Sequence, residues 1–209
     1  MNCVSVDKRL EGSLAPSQSV GEAFALLSAP IMADAMYCAR AIDTGPDVSA
    51  EALHGLRVAL RRLRALWWAY RPLLDAKLYK DQCDAFRQIA DAVGVTREWD
   101  VLQGLLATDG EGRKRHSKLA NSVGQQRALA FEAGRERADS NRVDRTLNCA
   151  LRSCQAQLDA LGLPPALPEF ARSRIDLVVR AVRKDVRRAL QLVVCVKRIA
   201  SYSVWPSHA

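Results

Sequence analysis

The sequence contains no CxxC pair, only three histidines and few aromatic side chains. No apolar run approaches the roughly 18 residues that cross a bilayer. The six cysteines (Cys3, Cys38, Cys83, Cys149, Cys154, Cys195) therefore make neither a zinc knuckle nor a dithiol redox motif, and reduced thiols of a cytosolic protein are expected. With only His54, His116 and His208 to supply imidazole, a conventional metal site is not expected, and no cofactor is. The moderately apolar stretch FALLSAPIMADAM is interrupted by Asp34 and set apart from Lys8 and Arg9 by polar residues, so it does not read as a signal peptide. These absences predict a cytoplasmic protein with no membrane partner.

Strand signals are also scarce. Apolar residues recur at helical spacing almost throughout, whereas β-branched runs with period-two alternation are hard to find. The expected fold is all-α, a bundle of about six helices. The first covers residues 19–42, with a kink at Pro30, and stops in the turn-forming DTGPD. A second covers 49–74 from a cap at Ser49, and a third 77–93, ending at Gly94. A further helix starts at the Thr96 cap of TREWDVLQGLL. After a break at TDGEG, polar helix runs from Arg113 to Leu161, divided near DSN. GLPPALP then closes the segment, and a last helix occupies most of 169–202.

Charge is what the chain has in excess. It holds 31 Lys and Arg against 23 Asp and Glu, a formal net charge of +8, which suggests an acidic partner: nucleic acid, an anionic membrane or a polyanion. The excess is uneven. Residues 1–50 hold three basic side chains against six acidic ones, while the remainder holds 28 against 17. It is densest in HGLRVALRRLRALWWAYRP, residues 54–72, where one histidine and five arginines stand with no acid among them.

On a helix that turns about 100° per residue, measured from His54, Arg57 falls at about −60°, Arg61 at about −20°, Arg64 at about −80° and Arg71 at about −100°. Leu56, Leu60, Leu63, Trp67, Tyr70 and Leu74 fall within about 160–240°, a core stripe on the opposite side. Arg62 stands apart at about 80°, and Trp68 falls among the cations. An ordinary solvated helix face mixes signs, because like charges at i, i+4 such as Arg57 and Arg61 cost a few tenths of a kcal/mol. The use of arginine matters too, since its guanidinium fork grips two phosphate oxygens at once where an ammonium acts as a point charge. The residues alone point to an oxyanion-rich ligand.

LHGLRVALRRLRALWWAYRPLL resembles the signature of the CHAD family, the conserved histidine α-helical domain. Its pattern is a histidine with Arg at +3, basic residues at +7 and +8, and Arg at +10. His54, Arg57, Arg61, Arg62 and Arg64 match all five places, and GVTREWDVL supplies the family's second stretch with Gly94, Arg97, Asp100 and Val101 in register. The resemblance covers roughly residues 15–165. It implies an all-helical domain built on a pseudo-symmetric pair of helical bundles, binding inorganic polyphosphate through basic residues without catalysis, at polyphosphate granules in the cytoplasm. A full member repeats the His-x-x-Arg helix in its second half. Here LQLVVCVKRIAS places Leu190, Val193 and Ala200 where His and two Arg would stand, and keeps only Lys197 and Arg198. One domain over 15–209 is expected, with a first unit to about 165 and a truncated or degenerate second unit over 166–209.

The expected polyphosphate site is His54, Arg57, Arg61, Arg62 and Arg64, extended by Lys77, Lys80, Arg97, Lys197 and Arg198. Arg127, Arg135 and Arg142 sit among Glu132, Glu136 and Asp139, a mixed-charge face expected to be solvated. No ExExK strand and no Walker loop ending in GKS or GKT is present, so hydrolysis is not expected. Two other readings stay open. Non-specific nucleic-acid binding fits the basic helix, although the face lacks the Asn and Gln that read bases; a truncated remnant that binds weakly or not at all is the other.

Overall fold

The computed structural model describes residues 14–44, 50–108 and 117–202, with side chains for 14–44, 51–106 and 118–188, and among these the chain is helical and without strands. The chain divides into two compact units, Met1–Pro164 and Pro165–Ala209. The first contains α1 (Val20–Asp43), α2 (Ala50–Tyr70), a 3₁₀ turn (Arg71–Leu73), α3 (Ala76–Thr108), α4 (Ser117–Ala138) and α5 (Ser140–Asp159). The second contains α6 (Leu167–Tyr202).

Local chemistry explains most of the boundaries. Ser19 Oγ accepts from the Glu22 amide at 3.1 Å while Glu22 Oε2 accepts from the Ser19 amide at 2.8 Å, a reciprocal cap that starts α1. Those hydrogen bonds hold the Glu22 carboxyl below its ordinary range. Pro72 has no amide N–H to donate and stands in the first turn of a 3₁₀ segment, where α2 stops at Tyr70, short of the expected Leu74. Asp139 caps α5 by accepting from the Arg142 amide at 2.9 Å, which divides the long polar segment near DSN. The expected cap at Ser49, the break after Thr108 and the helix start at Arg113 lie outside the described residues.

One expected boundary is absent. The chain does not stop at Gly94 and restart at Thr96; α3 runs through both for 33 residues. A glycine inside a helix costs only about 1 kcal/mol relative to alanine, which tertiary packing overrides. Thr96 is buried inside α3 instead of capping a new helix.

In the first unit α1 packs on α2, α2 on α3 and α3 on α4, and α5 returns against α1. The aromatic centre is Trp67, with Phe24 edge-on at 4.8 Å and Phe86 edge-on at 5.2 Å; Phe24 also meets Tyr70 at 5.0 Å. Trp67 Nε1 donates to Gln82 Oε1, and Gln82 Nε2 donates to the Ala150 carbonyl at 3.2 Å, so one buried amide ties α2, α3 and α5 together. At the α3–α4 crossing the backbones nearly touch, since a Cβ on Gly134 would stand 2.5 Å from the Ala92 carbonyl oxygen. By length and composition α1 is able to span a membrane, contrary to the expectation that no segment is. In this bundle its Ala23, Phe24, Ala35, Ala39 and Ile42 are buried in the core.

Candidate anion-binding face

The core stripe of α2 is where the helical angles put it. Leu56, Leu60, Leu63, Trp67 and Tyr70 are all buried, with Ala52, Leu53 and Ala59 beside them; Leu74 is buried too, but from beyond the end of α2, in extended backbone after the 3₁₀ turn. This burial holds the opposite side of α2 outward. His54, Arg61 and Arg64 are exposed there, and Arg57 and Arg62 are half-buried.

The cations form two rows. Arg57, Arg64 and Arg71, seven residues apart, follow the border between α2 and α3. Arg57 Nη1 donates to the Gly94 carbonyl at 3.3 Å, the charge of Arg64 acts on Tyr79 and Cys83 of α3, and the Arg71 guanidinium, in the 3₁₀ turn, sits 5.4 Å above the Tyr79 ring. His54 and Arg61 form the outer row, with Trp68 at the next sevenfold step. Burial pushes both the Tyr79 hydroxyl and the Cys83 thiol up, the Tyr79–Cys83 hydrogen bond raises the hydroxyl and lowers the thiol, and the Arg64 charge acts against burial at both.

The helical wheel separates the two rows, but only the fold shows that the inner one is braced by α3. Gly94 makes its first contact possible. A Cβ there would lie 3.1 Å from Arg57 Nη1 and 3.3 Å from Cζ, so the glycine expected to end a helix provides the recess in which a guanidinium lies against the α3 backbone.

Among the described residues no carboxylate lies within ion-pairing distance of His54, Arg57, Arg61, Arg62 or Arg64. Four surface cations elsewhere are paired: Lys77 with Asp81 at 2.6 Å, Arg87 with Asp91 at 3.6 Å, Arg135 with Glu132 at 3.8 Å and Arg188 with Asp185 at 3.8 Å. Lys77, expected in the site, is thus engaged by its own helix, and the hydrogen bond to Asp81 raises its pKa. Lys80 is exposed on α3, and Arg97 is half-buried with no ion-pair partner among the described residues. Lys197 and Arg198 belong to α6, but their side chains lie outside the described ones.

Arg127 departs from its expected place on a solvated face. Its Nε meets Asp100 Oδ1 at 2.5 Å in a largely enclosed pair, with side chains 19% and 7% exposed, joining α4 to α3. Asp100, a near neighbour of Arg97 in sequence, is thus held by a residue 27 positions away. An open cleft of about 670 Å³ lies elsewhere, lined by Asp43, Glu132, Glu136 and Asp139 with Arg135, Arg142 and Arg145, so its charge is mixed. The described residues contain no cluster of three or more His, Cys, Asp or Glu suited to a metal ion.

The architecture is that of an all-α helical bundle. The family described as the CHAD domain matches residues 36–196, most of the chain, and the protein belongs to that family. No curated protein matches the chain, and no solved structure does.

Proposed function

We propose that this protein binds inorganic polyphosphate, without catalysis, along the outward side of α2. The observation that carries the reading is the set of five cationic positions gathered within eleven residues of one helix, His54, Arg57, Arg61, Arg62 and Arg64, with no carboxylate paired to any of them among the described residues, whereas Lys77, Arg87, Arg135 and Arg188 each have an acidic partner. Polyphosphate carries about one charge per phosphate along a flexible chain, so it needs a track of donors more than a pocket. Arg57, Arg61 and Arg64 form the centre of that track and grip oxygens of successive phosphates. His54 adds a donor at one end, while Arg62, Arg97 and Lys80 add charge at the margins. Lys77 contributes less, because phosphate must compete with Asp81 for it.

Family membership supports a binding role over an enzymatic one. The testing experiment is a titration with long-chain polyphosphate, competed by single-stranded and duplex DNA at equal phosphate concentration. Polyphosphate is expected to compete at much lower concentration, because its flexible chain engages both rows at once. Equal competition overturns the assignment in favour of general nucleic-acid binding.

A further inference from the structure

The second unit has one described helix, α6, and its aliphatic side chains between residues 175 and 186 are exposed. Ile175 is 60% exposed, Val182 54% and Val186 52%, with Val178 and Val179 also exposed. An apolar stripe exposed in this way from Ile175 to Val186, on a helix of 36 residues, calls for a partner.

The spacing of the stripe identifies the kind of partner. Ile175, Val179, Val182 and Val186 alternate steps of four and three, and the sequence of α6 continues the register through Ala189, Val193, Val196 and Ala200. This is a heptad seam, with Val179, Val186 and Val193 at successive a positions and Ile175, Val182 and Val196 at d positions. A strict 3.5-residue period sustained over nearly four heptads is what a supercoiled helix partner requires. The basic residues Arg180, Lys184, Arg187 and Arg188 occupy positions b, f, b and c, away from the seam, where their repulsion is screened by solvent.

Charge at the flanking positions selects the orientation. In a parallel pair the g and e positions bring together Val178 with Arg183, Asp185 with Leu190, and Leu192 with Lys197, which yields no ion pair. In an antiparallel pair, a and d positions meet as Val186 with Ala189, Val182 with Val193, Val179 with Val196 and Ile175 with Ala200. The e positions Asp176 and Lys197 then face each other across the seam twice by symmetry, and no like charges oppose.

We infer that the occupant of the α6 seam is the α6 of a second copy of this chain, in an antiparallel two-helix coiled coil. This is independent of what the α2 cations bind. The test is the mass of the full chain by sedimentation equilibrium over a concentration series, with no polyanion present. The wild type is expected to approach twice the 23.0 kDa of one chain. Val182→Glu with Val186→Glu should hold it at one chain, while Arg180→Glu with Arg187→Glu, off the seam, should leave the doubling intact. Asp176→Lys should weaken the dimer roughly tenfold and Lys197→Asp in the same chain should restore it. Thermal unfolding of each variant reports whether the first unit remains folded. A single-chain mass throughout, or a doubling insensitive to Val182 and Val186, overturns the pairing. Indifference to Asp176→Lys overturns its antiparallel register.

Discussion

The Arg57 guanidinium, 37 residues from Gly94 in sequence, donates to the Gly94 carbonyl at 3.3 Å and lies where a Gly94 side chain would be. One residue carries a charge of the candidate track and the other supplies the space that positions it. Alanine at Gly94 removes a helix-interior glycine, a gain of up to about 1 kcal/mol, but displaces Arg57 from its hydrogen bond. Stability should stay within about 1 kcal/mol of wild type by urea unfolding, while polyphosphate affinity falls several-fold. In an Arg57→Ala background, Gly94→Ala should leave affinity unchanged; an equal loss in both backgrounds would detach Gly94 from Arg57.

The location of the track is tested by two double variants of equal formal charge. Arg57→Ala with Arg61→Ala removes two charge-assisted contacts of about 1.5–3 kcal/mol each and should weaken polyphosphate binding about a hundredfold or more, with helicity unchanged. Its salt dependence should also become shallower, as fewer counterions are exchanged. Arg135→Ala with Arg142→Ala acts on the mixed-charge cleft and should matter much less. Similar losses would show that net charge governs association.

The Arg127–Asp100 pair predicts a stability effect away from the track. Arg127→Met leaves an enclosed carboxylate without its partner, and Asp100 Oδ2 already has no hydrogen-bond partner among the described residues. A loss of about 3–5 kcal/mol is expected by chemical denaturation, and adding Asp100→Asn should recover part of it because the buried charge is gone. A change under about 1 kcal/mol would mean that solvent reaches the pair.

Alkaline pH should unfold the first unit through two buried groups. Burial pushes the Cys154 thiol from 9.0 to about 12, and burial with the neighbouring Cys154 pushes the Tyr70 hydroxyl from 10.0 to about 12. Both pKa values are raised in the folded state, so the native protein keeps protons that the unfolded chain releases, and stability falls from about pH 9 to about pH 12. Each group contributes up to about 1.4 kcal/mol per pH unit in its window. Cys154→Ala should flatten the fall between pH 9 and 10, as measured by urea midpoints across that range.

The helical period alone determined which side of α2 enters the core and which carries cations. Around one helix, angular position depends only on residue number, so Leu56 to Tyr70 and His54 to Arg64 separate without knowledge of neighbours. Side-chain chemistry likewise marked the start of α1 at Ser19 and the division at Asp139. Distances between helices are not written in that way, because they depend on which faces pack and at what height. Only the tertiary structure decided that Gly94 lies inside a helix as a seat for Arg57, that Arg64 and Arg71 follow the α3 border, and that Arg127 leaves the solvated face for Asp100. In each case a local signal, a glycine stop or a mixed-charge run, was outweighed by packing between segments distant in sequence, whose burial and charge pairing exceed the roughly 1 kcal/mol of a local preference.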